Sequence, residues 1–558
     1  MRVVLATLTG VLTAAVGAFG AGDALAEGIP PLKPQVKTAV AMGQSPPAAS
    51  LTAPAPGGSP PRGVGEEGAG PVGDKLFSPD GALQTSSVAA AAAVAAPLFT
   101  FEGPSNQDNF NVHGFRVNPP DPVGDVGKKQ YVAMVNLVFS VYSKFDGTLQ
   151  GGPFALGSLW EGFPVADCAE DNGDGIVTYD EIANRWILTQ FTIQGPEYFI
   201  CIAVSHTPDA LGKYDLYAFS TGDAFPDYPK YGVWRDSFVV TTREFDNDGA
   251  GPEQIGIYAL KRTDLIGSKK KPPKMVQFTL LGPPNLVGDG LLPADVDGRK
   301  LPHPSTPVPI VGSQDDGGPD GAAMDALNIF HLTVKWSKPE DSTFVLTKQI
   351  PIAPYDTIFP CAPTSRDCIP QPGAVNPDQW LDILSYRQRP VHRLQYRNFG
   401  TYETLVTNQA VEAMPGVAGI RWWELRNAAD PGLFQEGTWA PADGVHRWMG
   451  SVAMDEEGNI ALGYSVSNAV DVFPGIRYAG RSPGDPPGTL SNEQVLQAGS
   501  GIQTSTNSRW GDYTSMNLDP DDECTFYYIN EYYTAASQAS SSAGWLTRIG
   551  AFRFPDCD

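Results

Sequence analysis

The chain has 558 residues, with 62 Asp and Glu against 38 Lys and Arg, a formal net charge of −24. That balance speaks against nucleic acid or an anionic membrane surface as a partner, since both require a basic face. Hydrophobic residues make up 42% of the chain, enough for a large core, and Gly (60) and Pro (51) are plentiful, which favours short elements separated by turns.

Residues 1–26 (MRVVLATLTGVLTAAVGAFGAGDALA) have a basic start at Arg2, an apolar stretch and an Ala24-Leu25-Ala26 ending. This is the pattern of a secretory signal, cleaved before Glu27. Residues 27–97 are dominated by Pro, Ala, Gly and Ser, as in APAPGGSPPRG and SVAAAAAVAAP. Such a composition buries too little apolar surface to offset ordering entropy, so a disordered linker is expected. The final FRFPDCD has no apolar tail, so no membrane anchor is expected there.

From Leu98 to Pro555 the composition changes and stays uniform. Runs rich in Val, Ile, Thr, Tyr and Phe alternate with Gly, Pro, Asp and Asn, and helical periodicity is nearly absent. Seven units can be marked: 124–150, 175–205 with YDLYAFS following, 227–245 with IGIYALKRTDLIG, 307–350, 393–411 with GIRWWELR, 446–481 and 508–554. Two of them echo each other, HRWMGSVAMDEEGNIALGYSVS and SRWGDYTSMNLDPDDECTFYYINEYY. Both open on Arg-Trp and turn at an acidic stretch. The expected fold is all-β, a β-propeller of six or seven blades over residues 98–558, with LFTFEG (98–103) as a closing outer strand. Two packed β-sandwiches are the competing architecture.

Six Cys follow the signal, and an even number in an exported chain suggests disulfides. Order along the chain suggests Cys168–Cys201, Cys361–Cys368 and Cys524–Cys557. Calcium is the one cofactor with a motif. The loop Glu170–Glu181 resembles an EF-hand in its oxygen spacing, with Asp171 and Asp174 as ligands, but it begins with Glu and runs into a strand. REFDNDGAGPEQ offers Asp246 and Asp248, and Asp315-Asp316 form a further acidic pair; all are equally good turn formers. His residues are scattered singly, no G-x-S-x-G elbow occurs, and no phosphate loop stands between a strand and a helix.

In a propeller the residues that open the innermost strands gather at one mouth of the central channel. Those expected here include Asp125, Arg235, Asp236, Tyr402, Glu403, Arg509, Asp512 and Tyr513. Carboxylates flanked by Arg and aromatic rings suit glycoside cleavage, which needs an acid, a base or nucleophile, and a stacking surface. Asp512 and Asp236 are the acid and base candidates, with Arg509 beside them. Trp510, Tyr513, Trp448, Arg447 and Trp234 are the candidate substrate contacts. For each of these the competing role is structural: Trp wedged between blades, Arg-Asp pairs tying them together.

The stretches DPVGDVGKKQYVAMVN, YDEIANRWILTQF, DYPKYGVWRDSF, GLLPADVDG, HRWMGSVAMDEEGNIALGYS and RWGDYTSMNLDP resemble exported bacterial β-propeller proteins grouped with the sialidase-like (BNR-repeat) superfamily. That resemblance implies a propeller more than an activity. Sialidases share an Arg triad, for which Arg421, Arg477 and Arg509 stand as candidates. Their Asp box differs from Asp455–Asn459 by one residue, and their Arg-Ile-Pro stretch is absent. The expectation is a secreted monomer that acts on or binds an extracellular polysaccharide or glycan as a hydrolase; the alternative is a non-catalytic adhesion or protein-binding propeller.

Overall fold

The computed structural model describes residues 29, 31–52, 78–88, 93–245, 254–267, 271–281, 290–317, 322–357, 367–383, 389–491 and 493–557. The signal stretch and Asp246, Asp248 and Cys361 lie outside them. The chain is nearly all β, 47% strand and 8% helix.

The strands form antiparallel meanders in chain order. The first runs through Val123–Val126, Gln130–Val135, Val138–Ser143 and Leu149–Ala155. The second comprises Val177–Asp180, Arg185–Phe191, Tyr198–Ser205 and Tyr214–Gly222. The third comprises Phe225–Val233, Ser237–Phe245, Gln254–Lys261 and Lys274–Leu280. The fourth starts at Leu292–Asp297 and ends at Thr343–Pro351; the fifth starts at Val391–Asn398 and ends at Gly432–Trp439. The sixth starts at His446–Met454 and ends at Gln494–Gln497. The seventh is Ser515–Leu518, Phe526–Tyr532 and Leu546–Phe552.

The first strand of each meander packs beside the first strand of the next, and Ser515–Leu518 packs back against Val123–Val126. This closed ring of radial sheets is a β-propeller, not a pair of sandwiches. Phe99–Glu102 pairs with Leu546–Phe552 and becomes the outer strand of the last meander, so the two ends of the ring share one sheet. Closure of this kind leaves few exposed strand edges. Between the fourth and fifth meanders the inner strands pair in parallel, Ala294 opposite Leu394, which fuses two sheets into one of nine strands.

Local sequence explains the meanders. The inner strand His446–Met454 is buried at every position, as a strand between two neighbours must be. It ends where the Asp455 carboxylate accepts hydrogen bonds from the Glu457 and Asn459 N–H groups (3.0 and 2.8 Å) and Gly458 takes φ 87°. Trp160, Trp186, Trp422, Trp423, Trp439, Trp448, Trp510 and Trp545 are fully buried and supply much of the core volume. The Cys168–Cys201 and Cys524–Cys557 disulfides form as expected. Cys368 is also disulfide-bonded. No helix among the described residues is long and apolar enough to cross a membrane.

The expectation of disorder across 27–97 does not hold for all of that segment. Gln35–Thr38 adds to the edge of the third meander, Ala41–Gln44 to the second, and Leu83–Gln84 runs parallel to Gly432–Trp439 in the fifth. Composition misleads here because strand addition draws its hydrogen bonds from the backbone and its partner from a sheet edge already formed. Asp80 is also anchored: its carboxylate accepts from Arg421 and from Thr438 Oγ1, both at 2.7 Å.

Candidate functional site

Four Asp residues lead into inner strands at the same mouth of the ring. Asp121 precedes Val123–Val126, Asp174 precedes Val177–Asp180, Asp227 lies near the start of Phe225–Val233, and Asp512 precedes Ser515–Leu518. The backbone around them is left-handed at non-glycine positions, with φ of 48° at Asp121, 42° at Asp174, 50° at Tyr228 and 49° at Ser508. Such conformations cost free energy and persist where surrounding contacts hold them, a feature that clusters at functional sites.

Those contacts form one network. Asp121 Oδ1 accepts from the Asp512 N–H at 2.7 Å, and its Oδ2 accepts from Asn136 Nδ2 at 2.6 Å. The same Asn136 accepts from the Asp174 N–H at 3.0 Å. Tyr513 donates its hydroxyl to Asp174 Oδ2 at 3.0 Å. Arg509 donates to Asp512 Oδ1 at 2.7 Å and lies 3.4 Å from Asp382. Beneath them Glu531 accepts from the Gly511 N–H at 2.5 Å. Gly511 is required there, because a Cβ would stand 2.9 Å from Pro122 and 3.0 Å from the Glu531 carboxylate.

The electrostatics are those of carboxyl groups crowded out of water. Burial, then the neighbouring Asp512, push Asp121 up to about 7, against the pull of Arg509. Asp227 is pushed up to about 6 by burial and Asp512, with Arg389 opposing. Burial and the charges of Asp121 and Asp227 hold Asp174 well above the usual carboxylate range, and burial does the same to Glu531. Burial also works against the Arg509 charge, but Asp512, Asp382 and Asp121 together outweigh it. Asp121 is 3% exposed, whereas Asp174, Asp227 and Asp512 are half-buried and keep contact with the channel mouth. Aromatic and basic groups complete the wall: the Tyr228 and Tyr513 rings lie 5.2 Å apart, with Lys230 Nζ over both and Arg389 over Tyr228.

Of the residues singled out from sequence, Asp512, Arg509, Tyr513 and Asp174 come together here. Asp236 does not. It lies in the turn after Phe225–Val233, where its carboxylate accepts from Ser237 Oγ at 2.9 Å. At about 3.3 Å per residue, that places it roughly 15–20 Å along the strand from Tyr228. The third inner strand begins before DYPKYGV and not at WRD, and this reverses the end on which Asp236 falls.

The expected substrate contacts other than Tyr513 are core. Trp510 is fully buried against Trp448 and Tyr533, and its Nε1 donates to Ser465 Oγ at 3.1 Å. Trp448 is likewise fully buried, and Trp234 packs on Tyr396. Arg447 is enclosed by Asp443 and Glu493, both at 2.8 Å. The proposed Arg triad is dispersed, since Arg421 pairs with Asp80 and Glu436 and Arg477 with Glu493.

The two expected calcium ligands of the 170–181 loop point apart. Asp171 accepts from the Gly157 N–H at 2.7 Å and faces His113, while Asp174 faces Tyr513. Val177–Asp180 within that loop is a strand, and the strand Arg185–Phe191 follows it where an EF-hand has a helix. Asp315 and Asp316 do converge with Asp325, within 4.8 Å. They brace a loop, with Asp325 accepting from the Asp316 N–H and Asp315 from the Thr357 N–H.

Asp121, Asp227, Tyr228, Lys230, Arg389 and Glu531 were missed. A signal existed for the two Asp: P-D-P-V, G-D-G-I, P-D-Y-P and G-D-Y-T put an Asp at equivalent places in four units. Arg389 has no such signature.

A second buried cluster occupies the channel further along the inner strands. Arg393 reaches Asp295 at 2.9 Å and Asp297 through both terminal nitrogens, and Gln395 donates to Asp297 at 2.7 Å. Burial pushes Asp125 up to about 8 and Asp295 up to about 6, against Arg393 in each case.

No family model matches the chain, and no curated protein does. Among solved structures it is similar to the α-L-arabinofuranosidase Arb93A from Fusarium graminearum (7% identity, TM-score 0.37, 82% of this chain and 98% of that one). It is similar to the N-terminal domain of Nup159 (10%, 0.34, 86% and 99%). It is also similar to the Penicillium chrysogenum α-L-arabinanase (9%, 0.32, 84% and 99%). At these values the likeness does not choose between an enzyme and a binding module.

Proposed function

We propose that the protein is a secreted propeller, its seven meanders forming seven blades, that acts on extracellular carbohydrate as a glycoside hydrolase at the Asp-lined mouth. The observation that carries this is the link between Asp121 and Asp512: the Asp512 backbone N–H donates to the Asp121 carboxyl at 2.7 Å, and the two side chains lie in unlike surroundings. Asp121, pushed up to about 7, holds a proton near neutrality, while the Asp512 carboxylate is paired with Arg509. Acid–base cleavage of an acetal requires one carboxyl group that keeps its proton and a second group that acts as base or nucleophile. In this reading Asp121, or Asp227 with its similar environment, protonates the leaving oxygen. Asp512 acts at the anomeric carbon, as base or nucleophile. Tyr228 and Tyr513 give the ring a surface to rest on. The disulfides fit an oxidising compartment and so support export.

The test is a panel of neutral and acidic polysaccharides, with released sugars measured for the wild type and for Asp512→Ala. Release by the wild type, reduced at least about a hundredfold in the variant, supports the reading. Retention on a polymer without release points to the binding-module alternative. Neither release nor retention across the panel removes carbohydrate as the ligand.

A further inference from the structure

Lys230 is a basic residue that the hydrolytic reading does not use. Its side chain comes off the inner strand Phe225–Val233 and is 3% exposed. Among the described residues, Nζ has no hydrogen-bond partner. It stands 2.9 Å from the centre of the Tyr228 ring and 3.9 Å from that of Tyr513. It also lines a narrow pocket with Thr241, Thr242, Arg243 and Arg389.

A buried ammonium normally holds a carboxylate within hydrogen-bond reach. Here the nearest acids, Asp174, Asp227 and Asp512, act on Lys230 only through space, and Arg389 opposes them. Burial first, then Arg389, hold the amine well below the usual lysine range. A neutral amine can direct its N–H groups at the two ring faces, a weak but recognised donation. Its lone pair then has only the pocket to face. Desolvation beside another cation is the arrangement that makes a lysine nucleophilic.

We propose that Lys230 captures a small carbonyl compound, an aldehyde or ketone, as an imine within this pocket. Nζ adds to the carbonyl carbon, and a proton passes from nitrogen to the carbonyl oxygen, giving a carbinolamine. Loss of that oxygen as water, with the second amine proton, forms the C=N bond; no oxidant or reductant is consumed. Half-buried Asp227 and Asp174 stand near enough to Lys230 to influence its charge, and they serve the proton transfers. The pocket holds about 10 Å³, near the size of one water molecule, so only the smallest carbonyl compounds qualify, and they enter only as the wall gives way. This capture is independent of glycoside cleavage and survives its failure.

The experiment incubates the full chain with glyoxylate, or separately acetaldehyde, and sodium borohydride, which reduces an imine to a stable secondary amine. Peptide mapping by mass spectrometry then locates the label. At pH 7 only about one exposed lysine in 2,500 is unprotonated, so surface sites react slowly. The expected result is labelling of Lys230 at least about tenfold above any exposed lysine with either probe. Lys230→Arg removes the amine and loses this label alone, with its melting temperature and its disulfides checked. Absence of label at Lys230 with both probes overturns the proposal, as does equal labelling of all lysines. Should Lys230→Arg fail to fold, the wild-type map decides.

Discussion

Asp121→Asn tests whether the mouth is strained by its own carboxyl groups. In the folded chain Asp121 is pushed from 3.8 up to about 7, so folding binds its proton more tightly than the unfolded chain does. Its contribution to stability is fully present below about pH 4. It declines as the unfolded carboxyl ionises, and it is lost by the time the folded group ionises near pH 7. A difference of about three pH units corresponds to roughly 4 kcal/mol at 1.36 kcal/mol per unit, an upper figure because Asp512, Asp174 and Asp227 respond to the same change. Asn has nearly the same shape and no charge. It keeps an acceptor for the Asp512 N–H but loses the one that Asn136 uses, at a cost of about 1–2 kcal/mol at all pH values. The variant therefore melts close to the wild type at pH 5, moves above it between pH 5 and pH 7, and gains little more by pH 8. Thermal melts of both proteins at pH 5, 6, 7 and 8 measure this. A melting-temperature difference that stays constant across that range would refute the claim that Asp121 is held protonated by burial.

Two further substitutions separate bracing from chemistry. Arg393→Met removes the cation that meets both Asp295 and Asp297 inside the channel, leaving buried carboxylates without it; a loss of about 3–5 kcal/mol is expected in denaturant titration. A loss under about 1 kcal/mol would mean that water enters the channel and solvates those acids. Asp80→Ala removes the N-terminal partner of fully buried Arg421 but leaves Glu436, so about 2–3 kcal/mol is expected. Unchanged stability together with faster proteolysis near residue 80 would show that the N-terminal arm adds nothing to the ring.

Much of the architecture could be read because strand patterns and turn residues are local. DEEGN closes a hairpin through its own Asp455 carboxylate, and LFTFEG reads as a strand wherever it docks. The N-terminal arm was illegible for the opposite reason. Nothing in QVKT or AMGQ is apolar enough to predict order, and the partners they pair with lie some 170 to 240 residues further on.

The site was half legible, and the reason lies in which end of an inner strand a residue occupies. Asp512 and Asp236 look alike in sequence, each an Asp near Arg and Trp at the margin of a β-rich run. One leads into its strand and the other follows it, so they end far apart. Aromatic character misled in the same way: Trp510 and Trp448 are too large to leave in the mouth and fill the gap between sheets, while Tyr228 and Tyr513, each with a hydroxyl to satisfy, stay at its wall. Four acids at one mouth with burial raising three of them is an arrangement that stability alone disfavours. Persistence of these acids beside left-handed backbone at Asp121, Asp174 and Tyr228 is therefore the strongest sign that the mouth is where the chain does its work.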